Sequence, residues 1–401
     1  MSLSLSNIGL GISPSATLAM DTKAKEFIAQ GFDVIKFGVG EPDFDTPEFI
    51  RNAAKEAIDA GKTRYTAVAG TPELRREIAI KLMRDNGLKY DPMNEVIVSS
   101  GAKQVIFNAL AAIINPGDEV ILPSPCWVSY PEMVRMVGGV PVFAPTKPEY
   151  GFVFTADDLR PYVTERTKAL IINSPSNPNG CVLSRDILAG IAELAVEKEF
   201  YVISDEIYEK LIYDGEEHVS IASLGEEIKQ QTIVVNGVSK TFAMTGWRIG
   251  YAAGPRSVIK AMTSYQSHSA SNPNSIAQAA ATTAIPAGDA PCIREMVAEF
   301  DARRVLMYHL INKVPGLSSN MPKGAFYLMV NIGALIGKRF GDQVITGTDK
   351  FAELLLENQY VAVVPGKAFG DDNHVRLSYA TSSGMIKRGI DRMAKFIAEL
   401  K

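Results

Sequence analysis

The chain has little cysteine: Cys126, Cys181 and Cys292 are scattered through 401 residues with no Cys-x-x-Cys pair. That excludes a disulfide framework, and an odd number of isolated thiols fits a reducing compartment. The four histidines, His218, His268, His309 and His374, show neither HxH nor HExxH spacing, so no histidine-based metal centre is expected. Excess positive charge is also missing. Lys and Arg number 41 against 45 Asp and Glu, a net charge of −4, which disfavours a nucleic-acid or anionic-membrane surface. No apolar run approaches the roughly 18 residues of a spanning helix. The opening stretch "MSLSLSNIGLGISPSATLAM" has no charged leader region, so it does not read as a secretory signal. These absences lead us to expect a cytoplasmic protein without membrane or nucleic-acid partners. G-x-G-x-x-G and G-x-x-x-x-G-K-[ST] are absent too, removing the fingerprints of Rossmann dinucleotide and P-loop sites.

What is present is ordinary globular composition, 46% hydrophobic and 21% charged, in a chain long enough for one large or two ordinary domains. From about residue 50 to 280, short apolar runs alternate with helical patterns. The strand candidates are "EVIVSSG", "DEVILPSP", "ALIINSPSNP", "YVISDEIY", "TIVVNGVSK" and "RIGYAAG"; "KQVIFNALAAII" and "DILAGIAELAVEKE" read as helices between them. Continuous apolar strands alternating with helices predict an α/β fold with a mainly parallel sheet flanked by helices. Beyond about 300 the pattern changes to a long helix followed by "GAFYLMVNI", "VAVVPG" and "HVRLSYA", a smaller α+β unit.

Polar residues sit just after the strands: Gly101, Ala102 and Lys103 in "VSSGAK", Trp127 in "SPCW", Asn177 after "ALIINSPS", Asp205 and Tyr208 after "YVIS", and Ser239 and Lys240 after "TIVVNGV". In open α/β sheets ligands bind outside the carboxyl ends of the strands, so these residues are expected to converge. A confined lysine can form a Schiff base with an aldehyde, and an aspartate can keep a pyridine nitrogen protonated. A helix N-terminus at Gly101–Lys103 could hold a phosphate with Arg248 closing on it. Each part also has a plainer reading: a solvated lysine, an Asp205 that caps a following helix, an "NPNG" that is only a turn, a Trp127 that fills the core and an Arg376 paired at the surface. Their order along the chain favours one shared site, with all the parts needed to hold pyridoxal 5'-phosphate (PLP).

Seven motifs in order, "GVGEPDFDTP", "RYTAVAGTPELR", "GDEVILPSPCWVSYPEM", "NSPSNPNG", "SDEIYEKLIY", "SKTFAMTGWRIGY" and "VRLSYA", carry a resemblance over essentially the whole length. The chain resembles the class I aminotransferases of PLP fold type I, closest to the bacterial aspartate aminotransferase branch that includes aspartate/prephenate enzymes. Any one motif alone would be weak. The resemblance implies that Lys240 forms the covalent link to PLP and shuttles the substrate proton. It puts Arg248, Gly101, Ala102 and Lys103 around the cofactor phosphate, Ser239 among the cofactor-binding residues, Asp205 on the pyridine nitrogen, Tyr208 and Asn177 on the ring oxygen, and Trp127 on the ring face. Arg376 becomes the clamp for the substrate α-carboxylate, a bidentate task that arginine suits better than lysine. Asn177, Trp127 and the Gly40 backbone reach substrate as well, and Lys103 and Thr17 read its second carboxylate. Tyr65 reaches the phosphate of a neighbouring subunit, which implies a homodimer with shared sites. Asn179 stands where the branch often has threonine, and no match appears for the neighbouring-subunit arginine that reads the distal carboxylate in another branch.

The implied division is an N-terminal arm and part of a small domain over 1–48, a large PLP-binding domain over 49–290 and a small domain over 291–401. The implied reaction is ping-pong amino transfer between L-aspartate or glutamate and 2-oxoglutarate or oxaloacetate, with prephenate as a further acceptor to test. The alternatives are an aminotransferase of broader or aromatic specificity, or a PLP-dependent β-lyase, since fold does not fix reaction.

Overall fold

The structure is a computed structural model that describes residues 4–401. Residues 1–3, at the start of the expected N-terminal arm, lie outside the described residues. Seven strands form one sheet: β1 Val96–Ser99, β2 Glu119–Ser124, β3 Val140–Pro145, β4 Thr167–Asn173, β5 Tyr201–Asp205, β6 Thr232–Gly237 and β7 Gly250–Ala253. Their spatial order is β1-β7-β6-β5-β4-β2-β3. Strands β2 to β6 pair in parallel, while β7 runs antiparallel to both its neighbours. Every residue of β1, β2, β6 and β7 is buried. Helices cover both faces, so these strands carry no polar alternation, which is why they read as continuous apolar runs.

Strand β3 was not among the expected set. It lies at the sheet edge and is largely exposed. Its Pro141 and Pro145 break the strand signature in sequence, and an edge strand tolerates them because its outward N–H positions need no partner.

The helices that position the site are α1 Ala16–Ala29, α2 Pro72–Asn86, α3 Ala102–Ile113, α4 Arg185–Glu197, α5 Pro291–Ile311 and α6 Ser383–Ala398. Thr71 caps α2 by accepting from the Leu74 N–H, with Pro72 at the first helical position and Gly87 left-handed at the end; all three are expected boundary devices. The long helix expected beyond about 300 begins earlier, at Pro291, again at the first helical position.

A second, antiparallel sheet contains β8 Ser318–Ser319, β9 Tyr327–Asn331, β10 Val364–Pro365 and β11 His374–Ser378, in the order β10-β11-β9-β8. Arg376 is at the centre of β11, flanked in register by Met329 and Val364. Around this sheet Phe300, Phe326, Phe351 and Phe396 form one apolar cluster, joined by Ile35 and Phe37 from the N-terminal segment. On α6 the buried residues Ile386, Ile390, Met393 and Ile397 recur at helical spacing, and each side chain removed from water contributes about 1.5–3 kcal/mol. Among the described residues no helix is long and apolar enough to cross a membrane.

The join between β7 and α3 is close. A Cβ on Gly250 would strike the backbone of Gly101 and Ala102 at the helix start, so glycine is required for the approach. Gly250→Ala is expected to destabilise the protein by about 1–3 kcal/mol, as overpacking does, read from urea denaturation. Gly225→Ala places its methyl where nothing lies within 4 Å and is expected to stay within about 0.5 kcal/mol. Equal shifts for the two variants would remove the close approach as a constraint.

Candidate functional site

Because β4, β5 and β6 are adjacent and parallel, their carboxyl ends lie side by side. They bring Asn173, Asp205 and, just past Gly237, Ser239 and Lys240 to the edge of one cavity of about 490 Å³. The Nζ of Lys240 donates to the carbonyl oxygen of Gly40 at 2.6 Å. The Tyr208 and Phe326 rings lie 5.9 and 5.8 Å from the same atom. Burial lowers the Lys240 ammonium to about 8, with Glu41 acting in the opposite direction.

Asp205 is buried. The Tyr130 hydroxyl donates to its Oδ2 at 2.7 Å and the Ile207 N–H to its Oδ1 at 3.3 Å. Burial raises this carboxyl to about 6 despite both hydrogen bonds, the usual effect of removing an anion from water. Residues 207–210 form turns and not a helix, so the helix-cap reading of Asp205 is corrected: the carboxylate accepts within a turn and faces the cavity.

At one end of the cavity α3 begins with Gly101 as N-cap and no side-chain cap. Its first N–H groups and positive dipole end point outward. Arg248 sits beside them with a left-handed φ of 57°, an uncommon backbone state for a residue with a side chain. Its guanidinium donates to Thr245 O at 3.1 Å and Ser100 O at 3.3 Å. A Cβ on Gly101 would clash with that guanidinium, so Gly101 lies beneath Arg248 and only Ala102 and Lys103 of this turn line the cavity. Burial, and then the charge of Arg248, lower the Lys103 ammonium. Its Nζ is 4.9 Å from the Trp127 ring centroid.

At the other end Arg376 is 2% exposed. It donates to Asn177 Oδ1 at 2.8 Å and Gly38 O at 3.0 Å, and its Nε has no partner. The surface-pair reading of Arg376 is therefore corrected. Asn177 is held in turn through its N–H by Asn173 Oδ1 at 2.7 Å, so "NPNG" is more than a turn. Tyr208 and Tyr327 share a hydrogen bond of 3.0 Å between their hydroxyls. Thr17 and Gly40 line the same cavity; Trp127 does too, so it is not simple core filling.

Tyr65 is not brought in. It is 91% exposed and outside the lining. Three residues that the sequence reading passed over belong to the site: Tyr130, Tyr327 and Asn173. Tyr130 and Asn173 sit inside or beside motifs already singled out, but nothing local marks a tyrosine as the donor to Asp205. Charged residues of α1, Asp21 and Lys25, also stand at the cavity, with Lys25 2.6 Å from Asp21.

The arrangement has an anion-binding end, a lysine amine of lowered basicity, a buried carboxylate with a fixed donor, and a buried guanidinium with a free N–H. It can hold a small phosphorylated ligand and a carboxylate on opposite sides of one amine.

The family model for aminotransferase class I and II matches residues 33–393. An aspartate aminotransferase of Bacillus sp. (strain YM-2) is 47% identical over 386 residues, covering 96% of this chain and 97% of that protein. An aspartate/prephenate aminotransferase of Cereibacter sphaeroides is 46% identical, covering 97% of each chain. Among solved structures, the aspartate aminotransferase of Rhizobium meliloti matches with a TM-score of 0.95 at 41% identity over 100% of both chains. That of Thermus thermophilus with maleate gives 0.92 at 45% identity, over 98% of this chain and 100% of that one. The α/β architecture, with its large mostly parallel sheet, is that of PLP fold type I. The chain belongs to the class I and II aminotransferases, and the protein is a transferase enzyme of that family.

Proposed function

We propose that the enzyme uses PLP to move an amino group between L-aspartate or glutamate and 2-oxoglutarate or oxaloacetate in two half-reactions, with prephenate as a further acceptor. One observation carries this reading: the buried Arg376, with a free Nε, faces the same cavity as the Lys240 amine. The names of the relatives, aspartate and aspartate/prephenate aminotransferases, support the substrate class.

The residues fit the cofactor. The uncapped start of α3, including the Lys103 backbone N–H, together with Arg248 and Ser239 would hold its phosphate, as helix N-termini and arginines do. Asp205, kept in place by Tyr130, would hold the ring nitrogen, and Tyr208 and Asn177 the ring oxygen. Trp127 would cover the ring face. When bound, PLP supplies an electron sink for negative charge at the substrate Cα.

The chain does the rest. Arg376 binds the α-carboxylate with its orientation set by Asn177 and Gly38 O, while the Gly40 backbone lies alongside. Lys240 Nζ, whose ammonium gives up its proton more readily because of burial, takes the Cα proton as the free amine and returns it. Lys103 and Thr17 face the second carboxylate. We further propose that Tyr65, exposed in one chain, reaches the phosphate end of a partner's site in a homodimer. The large domain would run over 49–290 and the small one over 291–401; the start of α5 at Pro291 supports that division. A cytoplasmic location fits the three unpaired cysteines.

Lys240→Ala is expected to abolish amino transfer from aspartate to 2-oxoglutarate, and borohydride reduction of the wild-type protein loaded with PLP should label Lys240 in a peptide map. A label on another lysine would overturn the assignment. A panel of amino donors against oxaloacetate, 2-oxoglutarate and prephenate tests the substrate class; strict exchange of one amino group per keto acid separates transfer from elimination.

Lys103→Ala is expected to lower kcat/KM for aspartate by about 10- to 100-fold, the value of one charge-assisted hydrogen bond of about 1.5–3 kcal/mol. Alanine, which has no second carboxylate, should lose much less. Equal losses would place Lys103 on the cofactor.

If Tyr65 acts across the interface, Tyr65→Ala and Arg376→Ala subunits mixed and refolded together should recover activity, because one site of each mixed dimer escapes both changes. Heterodimers isolated without any recovery would restrict Tyr65 to its own chain.

A further inference from the structure

The turn leaving β5 has two faces. Asp205 and Tyr208 line the cavity. Glu206 and Glu209 lie outside that lining and are buried, 1% and 8% exposed. Ser204 and Ser220 hydroxyls donate to Glu206 Oε1 at 2.9 and 2.7 Å, and His218 Nε2 lies 2.9 Å from Oε2. Lys81 of α2 pairs with Glu209 Oε1. Asn86 donates to Glu209 Oε2 at 3.2 Å and accepts from Lys81 at 2.8 Å.

The carboxylates and the histidine are close enough to suggest a metal site. Every carboxylate oxygen already has a partner, however, and Lys81 supplies the cation, so the group is a charge network with its carboxylates satisfied and His218 Nδ1 left unpartnered. Burial would raise the Glu209 carboxyl, but Lys81 and then His218 outweigh it and hold the group below its ordinary range. Buried ion pairs seldom improve stability over an apolar replacement of equal volume, so this network calls for a different role. Its position supplies one. Glu206 and Glu209 share the turn 205–209 with Asp205, Ile207 and Tyr208, which line the cavity, so the network backs the turn that faces it.

We propose that Lys81, Glu206, Glu209 and His218 are positioning residues, which aim the Asp205 carboxylate and the Tyr208 hydroxyl by pinning the back of the turn that carries both. The inference rests on the reading that Asp205 and Tyr208 hold PLP. Each pin is a hydrogen bond to a charged group, and a turn freed on one side would let both front-face groups drift from their targets. Small displacements of positioned groups are costly to rate.

The test compares wild type, Glu206→Gln and the double variant Lys81→Met/Glu209→Gln, each reconstituted with PLP. Expected for both variants are a PLP dissociation constant raised and a kcat lowered by about tenfold or more, with KM for aspartate within about twofold. The visible circular dichroism of the bound cofactor should change as well. Variants that melt at lower temperature yet keep the wild-type dissociation constant, dichroism and kcat would show a merely structural network and overturn the inference. If Glu206→Gln does not fold, the double variant, which removes both charges together, decides between the same outcomes. Wild type that binds no PLP would overturn the cofactor reading, and this inference with it.

Discussion

The Arg376 guanidinium is buried without a carboxylate of the described chain beside it, and much of the molecule is arranged around that cation. Removing an ion from water costs several kcal/mol unless other groups replace the hydration. Here Asn177, the Gly38 carbonyl and two aromatic faces do so, with the Tyr327 ring centroid 4.3 Å and the Phe369 centroid 4.9 Å from the guanidinium carbon. Burial lowers its pKa, but arginine starts so high that the charge persists at neutral pH. A cation kept in this way, with its Nε and other N–H groups unpaired, favours an anion that can pair with it.

That constraint reaches across the chain. Gly38 comes from the N-terminal segment, Asn177 from the loop after β4 and Arg376 from β11. The same N-terminal segment is fastened again where Gly40 O accepts from Lys240, where Thr245 donates to Glu41 at 2.7 Å, and where Thr46 donates to Ala243 O at 2.7 Å. Trp247 closes the set by donating to Thr46 at 3.0 Å. Residues 38–46 thus form a bridge between the buried Arg376 cation and the loop that carries Lys240 and Arg248.

What could be read from the sequence follows from which interactions are local. Asn177, Asp205 and Lys240 were legible because buried parallel strands are unbroken apolar runs, and the polar residues that end them stand out. The uncapped start of α3 was legible in "SSGAK" for the same reason. Tyr130 and Tyr327 were not, since a hydroxyl aimed at Asp205 or Tyr208 depends on packing between elements far apart in the chain. Strand β3 was hidden by its prolines, and the need for glycine at 250 exists only once β7 meets α3. Tyr65 is a different case. Its expected partner is in a second chain, so one chain shows only an exposed ring.

The cations Lys240 and Arg248, close in sequence, meet opposite electrostatic demands. Under the proposed function Lys240 has to lose and regain a proton, and burial against the Tyr208 and Phe326 rings weakens its hold on that proton. In the same proposal Arg248 has to remain charged, and its guanidinium is at the rim, hydrogen-bonded to two backbone carbonyls beside a helix N-terminus. The backbone between them makes this separation. It passes through a short 3₁₀ turn at Thr245–Trp247 and then reverses through the left-handed Arg248. A non-glycine residue held there costs about 1–3 kcal/mol, which a glycine would avoid. Glycine could not supply the charge, so the strain falls on the residue whose side chain must turn back toward α3.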